Sequence, residues 1–494
     1  VRHSTRSNLG VPDVRYADEY SGSDSLVYRV FVQVAENFHK SDATVATPQY
    51  HINKGMKIFG QAGRVAVVKE VKENLIGRGV IDQLLPGNVS REIQHRSLPY
   101  LMYLKMKRDG IIKARGCDDG RKQRLYITKE ESSSPTVSLQ ALLATCLIDA
   151  IEERTVATVD LPGTFMQTDI DEDVWIKFEG PMADILVELQ PDTFEKCRFL
   201  QRGKRVIYAK ANKAIYGTLR SALLFYNKLR NQLSEWGFEP NPYDACTMNR
   251  MVNDSQMTIV WHVDDCKISH KDPKVIEKML NSLDKVFGQE KKVTRNVGLI
   301  HDYLGMTFDY SEKHTVAITM FDYVKLILSR IDPSDKDMNG TSVTPATANL
   351  FRDHDVDSEL LNEEEADEFH AHVARLLFLC KRSRPDIQTP VAYLCTRVQS
   401  PNIHDKKKLG RVMRYLRGSI YLPLILGWDG TGNVYWHVDA SFAVHKDMKS
   451  HTGGAASMGT GALATVCKKQ TSNTTSSTTA EIHGVSDCLP YMLW

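Results

Sequence analysis

An α+β fold is predicted by three observations on this 494-residue chain: an amphipathic helix pattern running directly into a short strand that ends in Asp160, a second helix pattern, and an apolar hairpin that carries Asp264-Asp265 at its tip. The order helix, strand-Asp, helix, hairpin-Asp-Asp puts the acids on neighbouring strands. At 42% hydrophobic residues the chain can bury more than one core, and its length suggests about three domains. A formal charge of +2 does not announce a nucleic-acid partner, so such a partner has to be read from local charge. Nine cysteines without CxxC pairs or zinc spacing indicate neither a disulfide framework nor structural zinc, and fit a reducing, intracellular setting. No apolar run approaches the roughly 20 residues of a membrane span. The chain begins with Val1 rather than Met and stops at Trp494 inside a helical pattern, so it reads as a piece of a longer polypeptide.

Residues 1–48 are polar, with Arg2, Arg6 and Arg15 and one apolar segment, Leu26 to Val32, and are expected to be a largely irregular linker. Lys54 to Ile76 reads as a helix through Val65, Val67, Val68, Val71 and Leu75. Leu101 to Arg124 then carries eight basic residues around an Asp109-Gly110 turn signal. The next helix is expected to start at Ser134 as cap and Pro135, with Leu139, Leu142, Leu143, Cys146, Leu147, Ala150 and Ile151 on its buried face. Cys146, Cys380 and Cys395 sit in apolar context and read as inert core residues.

Thr155 to Asp160 is a strand, ended by Leu161-Pro162-Gly163, where proline removes a ladder donor. A helix follows from about Ser221 to Trp236, then the Met257 to His270 hairpin. Residues 311 to 425 read as mostly helical. There the Glu363 to Glu368 run opens one helix, and Lys406, Lys407, Lys408, Arg411, Arg414 and Arg417 crowd another that stops at Gly418. That basic helix suits phosphate contacts to a duplex and equally suits a solvated face. The last 60 or so residues return to a strand-like pattern.

Taken alone, Asp264-Asp265 reads first as a solvated turn, because Asp is a common turn former. Two adjacent carboxylates on a closing site, however, are costly without a cation. With Asp160 beside them, three carboxylates can hold two Mg²⁺ ions about 4 Å apart, the arrangement for in-line nucleotidyl transfer. Asp264 is expected to be the closer ligand.

His262-Val263-Asp264-Asp265, Asp160 with Phe165, Asp171-Glu172-Asp173-Val174-Trp175, Lys213-Ala214-Ile215-Tyr216-Gly217, Tyr303-Leu304-Gly305-Met306, Arg384-Pro385-Asp386-Ile387 and Arg414-Tyr415-Leu416-Arg417-Gly418 occur in that order. The set resembles the reverse transcriptase and ribonuclease H portion of a copia-type LTR retrotransposon polyprotein, over about residues 50 to 494. Two departures are His262, at a position usually Tyr or Phe, and Leu161-Pro162-Gly163 after the first Asp.

The resemblance implies a right-hand polymerase: fingers and palm at 49–310, a mainly helical thumb and connection at 311–425, and a truncated ribonuclease H-like α/β domain at 426–494. It implies an RNA-directed DNA polymerase with Asp160, Asp264 and Asp265 as catalytic metal ligands, two Mg²⁺ ions, and Mn²⁺ as a substitute. Lys113 and Arg115 would meet the triphosphate. Phe165 would lie under the incoming sugar as a gate against a 2′-hydroxyl, and Tyr216 and Gly217 would floor the templating base. Lys406, Lys407, Arg411 and Arg414 would contact nucleic acid.

In the last domain Trp436-His437-Val438-Asp439-Ala440-Ser441-Phe442 and Ser476 to Glu481 resemble the family's ribonuclease H motifs. Asp439 and Glu481 would be two metal ligands there, half of a site and expected to be inactive. Thr478-x-x-Glu481 is also a capping box, and Asp487, about 120° around the helix from Glu481, reads as a surface acid. The implied partners are an RNA template, a DNA primer, their hybrid and dNTPs, with no membrane. Protease and integrase modules would lie upstream in the polyprotein, within a cytoplasmic particle. The alternative of a different class is a non-catalytic nucleic-acid-binding remnant of a degenerate element; a polymerase copying only DNA would share the palm chemistry.

Overall fold

The computed structural model describes residues 49–107, 110–352 and 358–493. The expected linker at 1–48, with its arginines and the Leu26 to Val32 segment, lies outside the described residues, as do Asp109 and Trp494. No helix among the described residues is long and apolar enough to cross a membrane.

The first layer is a seven-stranded sheet with a helix laid on it. Helix α1 (Ile52–Glu70), broken in conformation at Gly60 (φ 52°), packs on β1 (Leu98–Met106) and β2 (Ile112–Asp118). Along β2 the burial alternates: Ala114, Gly116 and Asp118 turn inward while Lys113 and Arg115 turn out. Gly116 is required there, because a Cβ would lie 1.7 Å from the Tyr100 hydroxyl.

Helix α2 is Leu139–Ile151, capped by Ser138, whose hydroxyl accepts from the Ala141 amide at 3.1 Å. The expected start at Ser134-Pro135 is therefore four residues early. The Ser134 hydroxyl instead donates to the Ala222 carbonyl (3.2 Å), tying the entering chain to the helix at Ser221–Glu235. Strand β3 is Thr155–Asp160, and helix α3 spans Ser221–Glu235. There follow β4 (Thr247–Val252), β5 (Ser255–His262), β6 (Asp265–His270) and helix α4 (Pro273–Phe287).

The central sheet has six strands in the order 294–298, β3, β6, β5, β4 and 239–240. Leu142, Cys146, Phe225, Leu229, Ile259, Trp261, Ile268 and Leu283 fill one core between this sheet and the three helices. Alternating apolar residues on the strands meet the apolar stripes of the helices, which fixes register because a one-residue slip would turn the whole set to solvent. Cys146 and Cys380 are fully buried, Cys395 is half-buried, and all three thiols are raised first of all by burial, Cys146 to about 11 and Cys395 to about 12.

Residues 311–425 are less helical than expected. Strand β7 (Thr315–Thr319) joins a five-stranded sheet and pairs with β8 (Leu424–Trp428), across the expected boundary at 425/426. Between them lie a short helix, Phe321–Leu328, and helices α5 (Glu363–Arg382), α6 (Gln388–Cys395) and α7 (Ile403–Gly418). The chain closes with a three-stranded sheet of β9 (Tyr435–Ser441), β10 (His451–Ser457) and β11 (Ala464–Lys469), on which α8 (Ser477–Met492) packs. The α+β class read from the sequence is the one observed.

Candidate active site

Strands β5 and β6 pair from Thr258↔Ser269 to His262↔Asp265, leaving Val263-Asp264 as a two-residue turn. Val263 has φ 59° and Asp264 is not among the positive-φ residues, a pattern that favours glycine at the first position. A β-branched side chain there stores strain on the order of 1–3 kcal/mol. The turn is held from two sides. The Leu161 amide donates to the Asp264 carbonyl (3.0 Å), and the Tyr303 hydroxyl donates to the Asp265 carbonyl (3.1 Å).

Strands β3 and β6 run antiparallel with Asp160 directly opposite Asp265. This register gathers three carboxylates at one sheet end, although like charges in facing positions repel. Their joint field reaches the buried Cys266 thiol, raised well above its ordinary value by burial first and then by Asp265, Asp264 and Asp160. As hard oxygen donors the three acids fit a divalent cation such as Mg²⁺. Among the described residues, however, no group of three or more His, Cys, Asp or Glu side chains converges on a single metal position.

Facing the acids is an aromatic and cationic wall. The rings of Phe165 and Tyr216 meet edge to face at 4.7 Å, and the Arg115 guanidinium lies over the Tyr216 ring at 4.9 Å. Burial pushes the Tyr216 hydroxyl up to about 12, with Asp264 adding to the rise and Arg115 opposing it. Lys113 is exposed two residues away on β2. Gly217 (φ 94°) has no space for a side chain, since a Cβ would sit 2.0 Å from the Asp118 carbonyl oxygen.

The structure thus brings Asp160, Asp264, Asp265, Arg115, Phe165, Tyr216 and Gly217 into one region. It does not do the same for the basic helix. Lys406 pairs with Glu365 (3.0 Å), Arg411 donates to the Thr344 hydroxyl (2.7 Å), and Arg414 donates to the Asp337 carbonyl. Lys406 also reaches Asp335 (3.8 Å), so these side chains fasten the 335–344 segment to α7, while Lys407 is exposed.

Several supports of the site lie outside the sequence motifs. Lys267 and Asp149, both buried, form an ion pair beneath β6, and Arg154 joins them. Burial works against the Lys267 charge, but Asp149 overcomes it and raises the pKa. Gln123, fully buried, accepts from the Leu219 amide (3.0 Å) just past Gly217. Glu70 accepts from the Gly116 amide (3.3 Å) behind Arg115. Only Asp149, an acid among the apolar residues of the α2 pattern, left a signal in the sequence.

In the last domain Asp439 is exposed on β9 opposite Gly453, and Glu481 is half-buried on α8. The expected capping box is not formed. Ser476 is the cap, accepting from the Thr479 amide at 3.1 Å, so Thr478 lies inside the helix. Asp487 is no free surface acid: it accepts from the Thr452 hydroxyl (2.8 Å) and pairs with Lys468 (2.8 Å).

Residues 89–347 match the sequence family described as reverse transcriptase (RNA-dependent DNA polymerase). The chain belongs to this reverse transcriptase family. It is 23% identical over 314 residues to a transposon Ty5-1 protein of Saccharomyces cerevisiae, covering 63% of this chain and 92% of that protein. It is 23% identical over 407 residues to the retrovirus-related Pol polyprotein from transposon RE1 of Arabidopsis thaliana, covering 79% of this chain and 25% of the polyprotein. The chain therefore spans about a quarter of that polyprotein's length. These relatives bear out the copia-type retrotransposon reverse transcriptase resemblance drawn from the motifs.

Among solved structures, the fold is similar to a foamy viral protease-reverse transcriptase determined in complex with double-stranded DNA. The TM-score is 0.51 at 13% identity, covering all of this chain and 75% of that one. The likeness bears out the polymerase fold for this reverse transcriptase.

Proposed function

We propose that this reverse transcriptase copies RNA into DNA through Asp160, Asp264 and Asp265. The observation that carries the reading is the register of Asp160 against Asp265, tied across by the Leu161 amide on the Asp264 carbonyl. Bound between these carboxylates, two Mg²⁺ ions, or Mn²⁺ in their place, would activate a primer 3′-hydroxyl and neutralise the leaving pyrophosphate. The chain's own part is to present three oxygen donors on rigid strands. Arg115 and Lys113 orient the triphosphate, Arg as a fork and Lys as a point charge. Phe165, held by Tyr216, excludes a 2′-hydroxyl by contact, and Gly217 lets the backbone come close to the templating base.

In domain terms this reading assigns 49–310 to fingers and palm and 311–425 to thumb and connection. The remainder, from 426, is ribonuclease H-like, with Asp439 and Glu481 as half of a second metal site and β8 given to the neighbouring sheet. The template RNA, the DNA primer and their hybrid would lie across the palm, with Lys407 free to reach a phosphate. The polyprotein context implies protease and integrase modules upstream and a cytoplasmic particle.

The test is Mg²⁺-dependent dNTP incorporation on an oligo(dT)-primed poly(rA) template, wild type beside Asp264→Asn. Incorporation that the substitution abolishes is expected. None from a folded wild-type chain that still binds the hybrid would make it a nucleic-acid-binding remnant, and incorporation on DNA templates alone would make it a DNA-copying polymerase.

A further inference from the structure

A cavity of about 180 Å³ lies behind the turn that carries Phe165, lined by Arg78, Gln167, Lys213, Lys228, Phe287 and Lys291. Lys213 on its wall opens one of the motifs above, but Arg78, Lys228 and Lys291 belong to none of them. Arg78 is built in: its side chain is 8% exposed, it pairs with Glu290 at 2.8 Å, and it reaches the Gly163 carbonyl at 3.5 Å. Gly163 leaves the room, since a Cβ there would lie 2.4 Å from the guanidinium. The Gln167 amide fixes the turn by donating to the carbonyls of Pro162 (2.7 Å) and Phe287 (2.9 Å). Lys228 donates to the Gln167 carbonyl.

The charge around this space is unbalanced. Four cations border it, Glu290 pairs with one of them, and Asp169 lies near Lys228. Lys213 and Lys291 make no ion pair among the described residues, and the charge of Lys213 adds to the burial that lowers the Lys228 pKa. Cations gathered around a concave space focus a positive potential into it. An anion with several oxygens would relieve that repulsion and use the Arg and Lys donors together.

The polymerase reading supplies one such anion. Attack of the primer 3′-oxygen on the α-phosphorus forms one P–O bond and breaks the bond to the β-phosphate, releasing inorganic pyrophosphate. We propose that the cavity is a separate, metal-independent site for phosphate anions, which takes up the pyrophosphate released by nucleotidyl transfer. The choice of pyrophosphate rests on the polymerase reading; the anion site does not.

Titration calorimetry with sodium pyrophosphate, in EDTA and at low salt, reads this directly on the whole chain. Wild type and Asp264→Asn are expected to bind one equivalent alike, and Lys213→Gln/Lys291→Gln to bind at least 10-fold more weakly. Lys291→Gln alone, at an exposed position, should weaken binding about threefold, which keeps the test meaningful if the double variant misfolds. No binding by wild type, binding unchanged in the lysine variants, or binding lost in Asp264→Asn would each overturn the proposal. So would displacement by single-stranded oligo(dT), which would make the cavity part of a nucleic-acid groove. Because no metal or template is present, a chain that binds pyrophosphate but incorporates no dNTP refutes the polymerase reading and keeps the anion site.

Discussion

The palm and the last domain each present acids on a strand that faces a second element, yet they are built to different standards. In the palm, Asp160 and Asp265 face each other across one ladder, the Asp264 carbonyl is bonded to the neighbouring strand, and Tyr303 braces the turn from a third. In the last domain Asp439 stands exposed on β9, its carboxylate accepting from the amide of the next residue, Ala440 (3.0 Å). Glu481 belongs to a helix whose firm ties run through Ser476 and Asp487. Backbone register can hold several charges at one place, whereas a strand and a helix held by side chains leave each acid its own freedom.

The largest effect that would break this contrast is on turnover. Asp160→Asn is expected to lower dNTP incorporation by on the order of 10²–10³-fold or more, on the scale of other charge-stabilising groups, with little change in melting temperature. Equal activity in the variant would mean that the facing register is structural only.

Next comes the buried pair under β6. Lys267→Met leaves the buried Asp149 charged with only the more distant Arg154 guanidinium (3.9 Å) beside it, and should cost about 3 kcal/mol by thermal or denaturant unfolding. Lys267→Met/Asp149→Leu should recover most of that loss, because removing both partners removes the uncompensated charge. If the single variant unfolds no earlier than wild type, the palm's rigidity does not come from below.

Asp118 sharpens the comparison through pH. It is buried behind Gly217, neither carboxylate oxygen has a hydrogen-bond partner among the described residues, and burial raises its pKa well above 3.8. A raised carboxyl contributes stability below its unfolded pKa that is lost as pH rises through the folded one. Asp118→Asn should therefore raise the unfolding free energy near neutral pH, by about 1–3 kcal/mol, and flatten its decline from pH about 4 upward. An unchanged pH profile would show that the acid finds water.

The last domain should answer to Asp487 rather than to its helix cap. Asp487→Ala removes the bonds to Thr452 and Lys468, and is expected to cost about 1.5–3 kcal/mol. The loss should appear as faster hydrogen exchange in β10, β11 and α8, with the palm unchanged.

What the sequence made legible follows the same line. The placement of Asp160, Asp264 and Asp265 on neighbouring strands is legible because strand pattern, turn chemistry and charge coincide within a few residues of each. Strand β7 was not readable, because its partner β8 lies about a hundred residues on and pairing at that range leaves no local mark. Ser134-Pro135 has the residue types of a helix start, but the Ala222 carbonyl takes the Ser134 hydroxyl and the helix begins four residues later. Asp487, about 120° around α8 from Glu481, reads as a surface acid from helical spacing alone, yet Lys468 and Thr452 reach it. The Lys406, Arg411 and Arg414 side chains show the same limit: helical spacing says which residues share a face and nothing of the segment laid across it.

The smallest effect concerns Val263. At φ 59° a valine is strained and a glycine is not, but glycine loses more freedom on folding, about 0.5–1 kcal/mol. Strain on the order of 1–3 kcal/mol exceeds that loss, so Val263→Gly should stabilise the fold by about 1 kcal/mol. Incorporation should nonetheless fall severalfold, because a freer turn no longer fixes Asp264 against the strand that carries Asp160. Stability and activity moving in opposite directions is the signature of a turn kept strained for the position it gives a carboxylate. If both fall together, the Val263 side chain is packing against a neighbour and the positive φ is incidental to the site.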